Sequence, residues 1–121
     1  MLTEEESIKL VMDYEEKRTG KRPKDVSRKK RLGYDLDSGD RLIEVKKRGI
    51  DYHFVFLTIY EYNFFQNNPK AYLYLVYEKD GKPKMKIFDN DKVKQHCRPA
   101  TPRFRFHMKK AIKESVVEKE L

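Results

Sequence analysis

Apolar residues recur every three to four positions near the N-terminus, which is the spacing of an amphipathic helix. A capping box of Thr3 and Glu6 precedes them, so the pattern predicts a helix from Thr3 to about Arg18. Glu15 lies four positions after Val11 and therefore on the same apolar face. The helix is expected to direct one carboxylate towards the core.

Apolar and polar residues alternate along residues 32–37 and 41–47, which predicts a β-hairpin. A two-residue turn at Gly39 and Asp40 would fix its register. One face of the hairpin is then apolar and carries Tyr34, Leu36, Ile43 and Val45. The other face is charged and carries Asp35, Glu44 and Lys46, with Asp35 directly opposite Glu44.

The middle of the chain predicts three further elements and a returning strand. A strand at residues 52–57 is followed by a helix at residues 58–67, whose start carries a second capping box. Residues 71–78, "AYLYLVYE", are apolar or aromatic almost throughout, which is typical of a central strand. Residues 85–89 are expected to pair back against it.

Beyond residue 90, the alternation in "RFRFHM" predicts a strand, and the spacing of apolar residues from Met108 onwards predicts a C-terminal helix. We therefore expect a single α/β domain with a central mixed β-sheet flanked by helices. Its core would span residues 1–90. Residues 91–121 would form a basic extension, either within the same domain or as an oligomer contact.

The excess of basic residues indicates a negatively charged binding partner. The chain has 28 Lys and Arg residues against 20 Asp and Glu residues, a net charge of +8. Residues 17–31, here called the basic segment, contain nine basic residues and one acidic residue. Such clustering favours DNA, bound through its phosphates with little sequence specificity. The alternative is a highly charged surface held by ion pairs, as in thermostable proteins.

Composition also excludes several classes of protein. The single cysteine, Cys97, allows no intrachain disulfide, and there is no CxxC pair for a structural zinc site. No apolar run approaches the roughly 20 residues of a membrane span. The acidic start, "MLTEEES", lacks the apolar region of a signal peptide. These features predict a cytoplasmic protein without a membrane partner.

Two acids that face each other across a hairpin repel, and a divalent cation removes the repulsion. Mg²⁺ or Mn²⁺ could take oxygens from Asp35 and Glu44 and the backbone carbonyl of Val45. Glu15 could reach the same site, and Lys46 could lower the pKa of an attacking water. The alternative is that Glu44 and Lys46 are solvent-facing residues of an edge hairpin.

The order of several short motifs resembles the C-terminal domain of the NO VEIN protein family, a domain of unknown function. The match covers about residues 8–80. The matching motifs are Tyr14-Glu15, Asp25-Val26-Ser27, Gly33-Tyr34-Asp35-Leu36, Ile43-Glu44-Val45-Lys46, Leu57-Thr58 with Glu61, and Tyr72 to Val76.

That family in turn is similar to the restriction-endonuclease-like PD-(D/E)XK superfamily. The resemblance implies that Asp35 and the Glu-x-Lys set of Glu44 and Lys46 bind Mg²⁺, and that Glu15 completes the site from a helix. It also implies a restriction-endonuclease-like fold. Such domains are often fused to helicases or ATPases, so a partner or fusion of that kind is implied as well.

The sequence therefore predicts a Mg²⁺-dependent DNA endonuclease or a nuclease-like DNA-processing module, with a homodimer also open. The alternative is a catalytically inactive nucleic-acid-binding or protein-interaction module of the same fold. The candidate catalytic residues are Asp35, Glu44, Lys46 and Glu15. The residues expected to hold the DNA backbone are Arg28, Lys29, Lys30, Arg31, Lys47 and Arg48.

Two further groups of residues are interpreted as structural. Thr58 and Glu61 are interpreted as a helix cap, not as catalytic residues. The aromatic residues between positions 52 and 65 are interpreted as core packing, with one or two exposed rings available to stack on single-stranded bases.

Overall fold

Both predicted capping boxes begin helices in the computed structural model, which describes residues 2–48, 54–100, 103–111 and 117–120. Helix α1 spans Glu4–Thr19, with Thr3 as its N-cap and Gly20 closing it in a left-handed conformation at φ 80°. Helix α2 spans Ile59–Asn67. The side chain of each capping Thr accepts from the third helical residue, and the Glu at that position returns the bond.

The strands of the described residues form two sheets. The strands of the larger sheet are β1 (Lys24–Asp25), β2 (Leu36–Asp37), β3 (Leu42–Lys47), β5 (Ala71–Lys79), β6 (Lys82–Phe88) and β9 (Val117–Glu120). This sheet is mixed and has the order β1-β2-β3-β5-β6-β9, with β3 and β5 parallel and the other pairs antiparallel. The smaller sheet has the order β4-β8-β7, from Phe54–Leu57, Arg103–His107 and Cys97–Ala100.

The predicted hairpin register is confirmed, since Leu36 pairs with Ile43 and Asp37 with Leu42. The assignment of Tyr34 to the same face as Leu36 is wrong. Strand β2 has only two residues, and the chain turns away before it, so the ring of Tyr34 stacks on Phe64 of α2 with centroids 4.8 Å apart. The first strand of the hairpin is therefore much shorter than its alternating sequence suggests.

The C-terminal part departs most from the prediction. A short helix α3, Asn90–His96, precedes β7, and helix α4 covers only Met108–Ala111. The predicted C-terminal helix begins at Met108 as expected, but its extension to Val117–Glu120 is wrong, because these residues form β9, which pairs with β6. An unpaired edge of β6 offers backbone hydrogen bonds that a solvent-exposed helix would not use. Residues 112–116 of the predicted helix, and residues 52–53 of the predicted third strand, lie outside the described residues.

The two faces of the larger sheet are covered by different elements. On one face, Val45 and Tyr74 pack with Val11 of α1. On the other, Leu73 and Leu75 pack with Phe64 and Phe65 of α2 and with residues of the smaller sheet. The chain is thus one α/β domain with a mixed sheet between helices, as predicted. None of the described helices has the length and hydropathy needed to cross a membrane.

Candidate active site

The charged face of the hairpin lies on the α2 side of the sheet, near the carboxyl end of β3. Glu44 is aligned with Leu73 and Lys46 with Leu75, and both leucines belong to the core beneath α2. Alternation therefore directs Glu44 and Lys46 towards α2. In α/β proteins, ligand-binding and active sites commonly lie at the carboxyl ends of parallel strands.

Asp35 is positioned by a glycine and a backbone bond. Gly33 has φ 89°, and a Cβ there would lie 2.6 Å from the carbonyl oxygen of Tyr60 in α2. Only glycine allows this approach. Two residues later, Oδ2 of Asp35 accepts a 2.8 Å hydrogen bond from the backbone N–H of Val45. The Asp35 carboxylate thus lies at the edge of β3, just beyond the end of β2.

A single lysine is surrounded by carboxylates at this place. Nζ of Lys46 lies 3.0 and 3.1 Å from the two oxygens of Glu61 and 3.2 Å from Oε2 of Glu44. The carboxyl group of Glu44 lies close enough to those of Asp35 and Glu61 to hydrogen-bond with them when it carries a proton. Asp35, Glu44, Lys46 and Glu61 are here called the acidic cluster. It holds three carboxyl groups and one ammonium group.

Burial makes this surplus of carboxyl groups costly. Glu44 is only 4% exposed, and burial raises its pKa well above the ordinary value, with Lys46 opposing and Asp35 and Glu61 adding to the shift. Burial also raises the pKa of Asp35, against the hydrogen bond from Val45. The cluster therefore favours a bound proton when no cation is present.

The other two members stay charged. Burial opposes ionisation of Glu61, but the ammonium of Lys46 and the hydrogen bonds it accepts keep its pKa below the ordinary value. Burial likewise opposes the charge on Lys46, yet the carboxylates of Glu44 and Glu61 raise its pKa. Lys46 and Glu61 form an ion pair beside Glu44, whose pKa is raised.

Glu61 is the member of the cluster that the sequence prediction missed. The sequence predicts that Glu61 caps a helix, and the cap is confirmed, because its Oε1 accepts from the backbone N–H of Thr58 at 2.9 Å. The same carboxylate also binds Lys46. The available signal was its position in the first turn of the helix that follows the Glu-x-Lys strand.

Glu15 does not join the acidic cluster, which corrects the prediction that it completes the site. It lies on the α1 side of the sheet, fully buried, where Arg18 and Tyr74 donate to it at 2.6–2.9 Å. Burial opposes its ionisation, but the hydrogen bonds from Arg18 and Tyr74 hold its pKa below the ordinary value. Helical spacing placed Glu15 inwards correctly but could not tell which face of the sheet α1 covers.

The predicted DNA-contacting residues come from two chain segments, one before Asp35 and one after Lys46 in the sequence. Arg28, Lys29, Lys30 and Arg31 are exposed on the loop that leads to Asp35. An open groove of about 370 Å³ between this loop and α1 is lined by both Arg28 and Asp35. Lys47 and Arg48 follow Lys46 at the end of β3 and are half-buried.

Not all of the basic segment is available to a ligand. Arg18 pairs with Glu15 and Asp40, and Arg22 pairs with Asp13 and Glu16. These two cations support the ion-pair alternative for their part of the segment. Arg28, Lys29 and Lys30, in contrast, form no ion pair with any residue in the described part of the chain.

The donor set suits a hard cation only in part. Within residues 2–48, 54–100, 103–111 and 117–120, no three His, Cys, Asp or Glu side chains form a ready-made metal site. Mg²⁺, however, is commonly held by one or two carboxylates together with waters and substrate phosphates. Asp35 and Glu44 supply two, and the Val45 carbonyl points to the same strand edge as the N–H bound by Asp35. A weakly held cation fits these residues.

The raised pKa of Glu44 predicts a pH-dependent stability. Above the ordinary value of 4.5 the unfolded chain releases this proton while the folded chain retains it, so stability falls as pH rises towards the folded pKa. Glu44→Gln removes the titrating group. In metal-free denaturant titrations at several pH values, the free energy of unfolding of the variant should rise relative to that of the wild type as pH increases from 4.5. A difference that does not change with pH would contradict the shift.

Comparison with known proteins agrees with the resemblance of the motifs. The family model described as "Protein NO VEIN, C-terminal" matches residues 3–88, which include the whole acidic cluster. No curated protein and no solved structure matches the chain significantly, so the restriction-endonuclease-like assignment stays a prediction. The match covers more than half of the 121 residues. The chain therefore belongs to the family of the NO VEIN C-terminal domain.

Proposed function

We propose that this domain is a Mg²⁺- or Mn²⁺-dependent nuclease module that hydrolyses phosphodiester bonds in DNA. The observation that carries the proposal is the acidic cluster, in which Asp35, Glu44 and Lys46 meet at the edge of β3. An Asp followed by Glu-x-Lys on paired strands is the arrangement implied by the PD-(D/E)XK resemblance. The exposed cations of the basic segment lie on the loop that leads to Asp35.

Each member of the cluster has a role in such a reaction. Asp35 and Glu44 would hold the cation, with the Val45 carbonyl beside them. When bound, the cation supplies positive charge to the carboxylates and to a phosphoryl oxygen. Lys46 would stabilise negative charge that develops on the phosphate as a water attacks and the sugar oxygen leaves. Glu61 would hold the Lys46 ammonium in place.

The basic segment supplies the binding energy in this proposal. Exposed Lys and Arg side chains release counterions from DNA and need no contact with base edges. Contacts from Arg28 to Arg31 and from Lys47 and Arg48 at the end of β3 would hold the DNA backbone next to the cluster. A helicase or ATPase partner, a homodimer and a cytoplasmic location follow from resemblance and composition alone, and they remain predictions.

A second function is favoured by a specific observation. Lys46 is already engaged by both oxygens of Glu61 and by Glu44, a closed arrangement that needs no ligand. A catalytically inactive nucleic-acid-binding or protein-interaction module would keep such a network for its structure. The two functions differ in whether a divalent cation enters the cluster.

Metal titration separates them. Isothermal titration of Mg²⁺ and Mn²⁺ should give weak binding to the wild type and none to Glu44→Gln, since Glu44 is the central carboxyl group. Glu15→Gln is the matched control, because it removes a buried carboxylate from the opposite face and should leave binding unchanged. No heat from the wild type, or equal heats from wild type and Glu44→Gln, would favour the inactive module.

A further inference from the structure

Two large apolar side chains are exposed at the start of α2. Ile59 is 47% and Tyr60 is 43% exposed, and they are the exposed large hydrophobic residues of the part of the chain that the structure describes. A single exposed apolar residue is ordinary and needs no explanation. The surroundings of Tyr60 make this ring different.

Tyr60 lies between the basic segment and the acidic cluster. The guanidinium of Arg31 lies over its ring, 5.8 Å from the centroid. Its backbone carbonyl abuts Gly33, which fixes this turn of α2 against the loop that carries the exposed cations. The next residue, Glu61, contacts Lys46. The exposed ring of Tyr60 therefore belongs to the residue that directly precedes Glu61 of the acidic cluster.

We propose that Tyr60, with Arg31 beside it, is a stacking platform for an unpaired base, so that single-stranded nucleic acid is the preferred substrate class. The proposal rests on the proposed function for the chemistry at the neighbouring phosphate. A base in single-stranded nucleic acid has a free face that can stack on an aromatic ring or a guanidinium. Bases within a duplex are already stacked on each other and offer no such face.

The charge of the surface selects this occupant over a protein partner. Arg28, Lys29 and Lys30 are exposed and form no ion pair with the described residues, and they directly precede Arg31 on the same loop. An unpaired strand presents phosphates and bases in alternation, which matches cations beside an aromatic ring. An apolar protein surface would match Ile59 and Tyr60 but would leave these cations without partners.

Binding measurements in EDTA test the platform separately from cleavage. The probes are a single-stranded oligonucleotide that contains 2-aminopurine and a duplex of the same sequence. For Tyr60→Ala, affinity for the single strand should fall on the order of tenfold, the loss expected for one stacked base. Affinity for the duplex should stay within about twofold, and the salt dependence should be unchanged because no cation is removed.

Two matched variants identify the interaction. Tyr60→Phe keeps the ring and should keep both the affinity and the change in 2-aminopurine fluorescence. Tyr60→Leu keeps an apolar side chain without a ring and should behave like Tyr60→Ala. Equal losses for both probes, or wild-type affinity in Tyr60→Ala, would overturn the platform. Wild-type behaviour of Tyr60→Leu would show that the patch is merely apolar and suits a protein partner. The assays contain EDTA and measure binding alone. They therefore remain interpretable even if the domain proves not to cleave DNA.

Discussion

Lys46→Ala is expected to remove most of the proposed cleavage of DNA while leaving the proposed binding of DNA nearly unchanged. The ammonium of Lys46 is placed between Glu44 and Glu61, where it would stabilise charge that develops only in the transition state. Removal of one such group typically lowers kcat by about 10²–10³-fold. Single-turnover cleavage of plasmid, linear duplex and single-stranded DNA with Mn²⁺ measures the loss.

The neighbouring lysine is the natural control. Lys47 lies one residue further along β3 and is directed to the opposite face. Lys47→Ala should weaken binding and reduce its salt dependence by about one phosphate contact while leaving kcat close to the wild type. Lys46→Gln, which keeps a hydrogen-bond donor among the carboxylates, guards against a loss that is due to misfolding.

Two results would sink this assignment. If Lys46→Ala and Lys46→Gln cleave as fast as the wild type, Lys46 has only a structural role in its ion pair with Glu61. If the wild type cleaves none of the three substrates, the inactive module is the better description of the domain. In that case the proposed DNA-binding surface can still be tested with Lys47→Ala.

Gly33→Ala is expected to destabilise the fold far more than Gly39→Ala. Both glycines have a φ near 90°, which costs other residues roughly 1–2 kcal/mol. A Cβ at Gly33 would also meet the Tyr60 carbonyl oxygen at 2.6 Å and Cβ of Phe64 at 2.8 Å, whereas nothing lies within 4 Å at Gly39. Overpacking adds roughly 1–3 kcal/mol, so the loss at Gly33 should reach about 2–5 kcal/mol.

Urea denaturation of the two variants measures the difference directly. The gain in rigidity of the unfolded chain is the same for both substitutions and cancels in the comparison. Because Gly33 anchors the loop that carries Asp35 against α2, its variant should also lose the proposed metal binding even under conditions where it is folded. Equal stabilities of the two variants would mean that α2 can move away from the loop at little cost.

The sequence sufficed for elements whose determinants are close together. The capping boxes at Thr3 and Thr58 predicted both helix starts, since each box is formed within four residues. The short turn at Gly39 and Asp40 predicted the register that brings Asp35 to Glu44, because a turn of known length leaves few alternatives.

Features that depend on distant packing could not be predicted in this way. Glu61 is fifteen residues from Lys46 in the sequence. Their contact depends on β4 belonging to the smaller sheet and on α2 packing back against the larger one. Glu15 lies on the side of the sheet that α1 happens to cover, which helical periodicity does not specify. The last strand, Val117–Glu120, depends on the free edge of β6, so local helical spacing gave the wrong element.

The smaller sheet has a consequence for how the domain can be divided. Similarity to the family ends at Phe88, and a fragment cut there would retain the whole acidic cluster. Yet β4 pairs with β8, and Val93, Phe106 and Met108 fill the core beneath α2. Such a fragment would bare an apolar surface and an open strand edge, both of which promote aggregation. The end of the family match and the end of the cooperatively packed domain therefore lie at different residues of this chain.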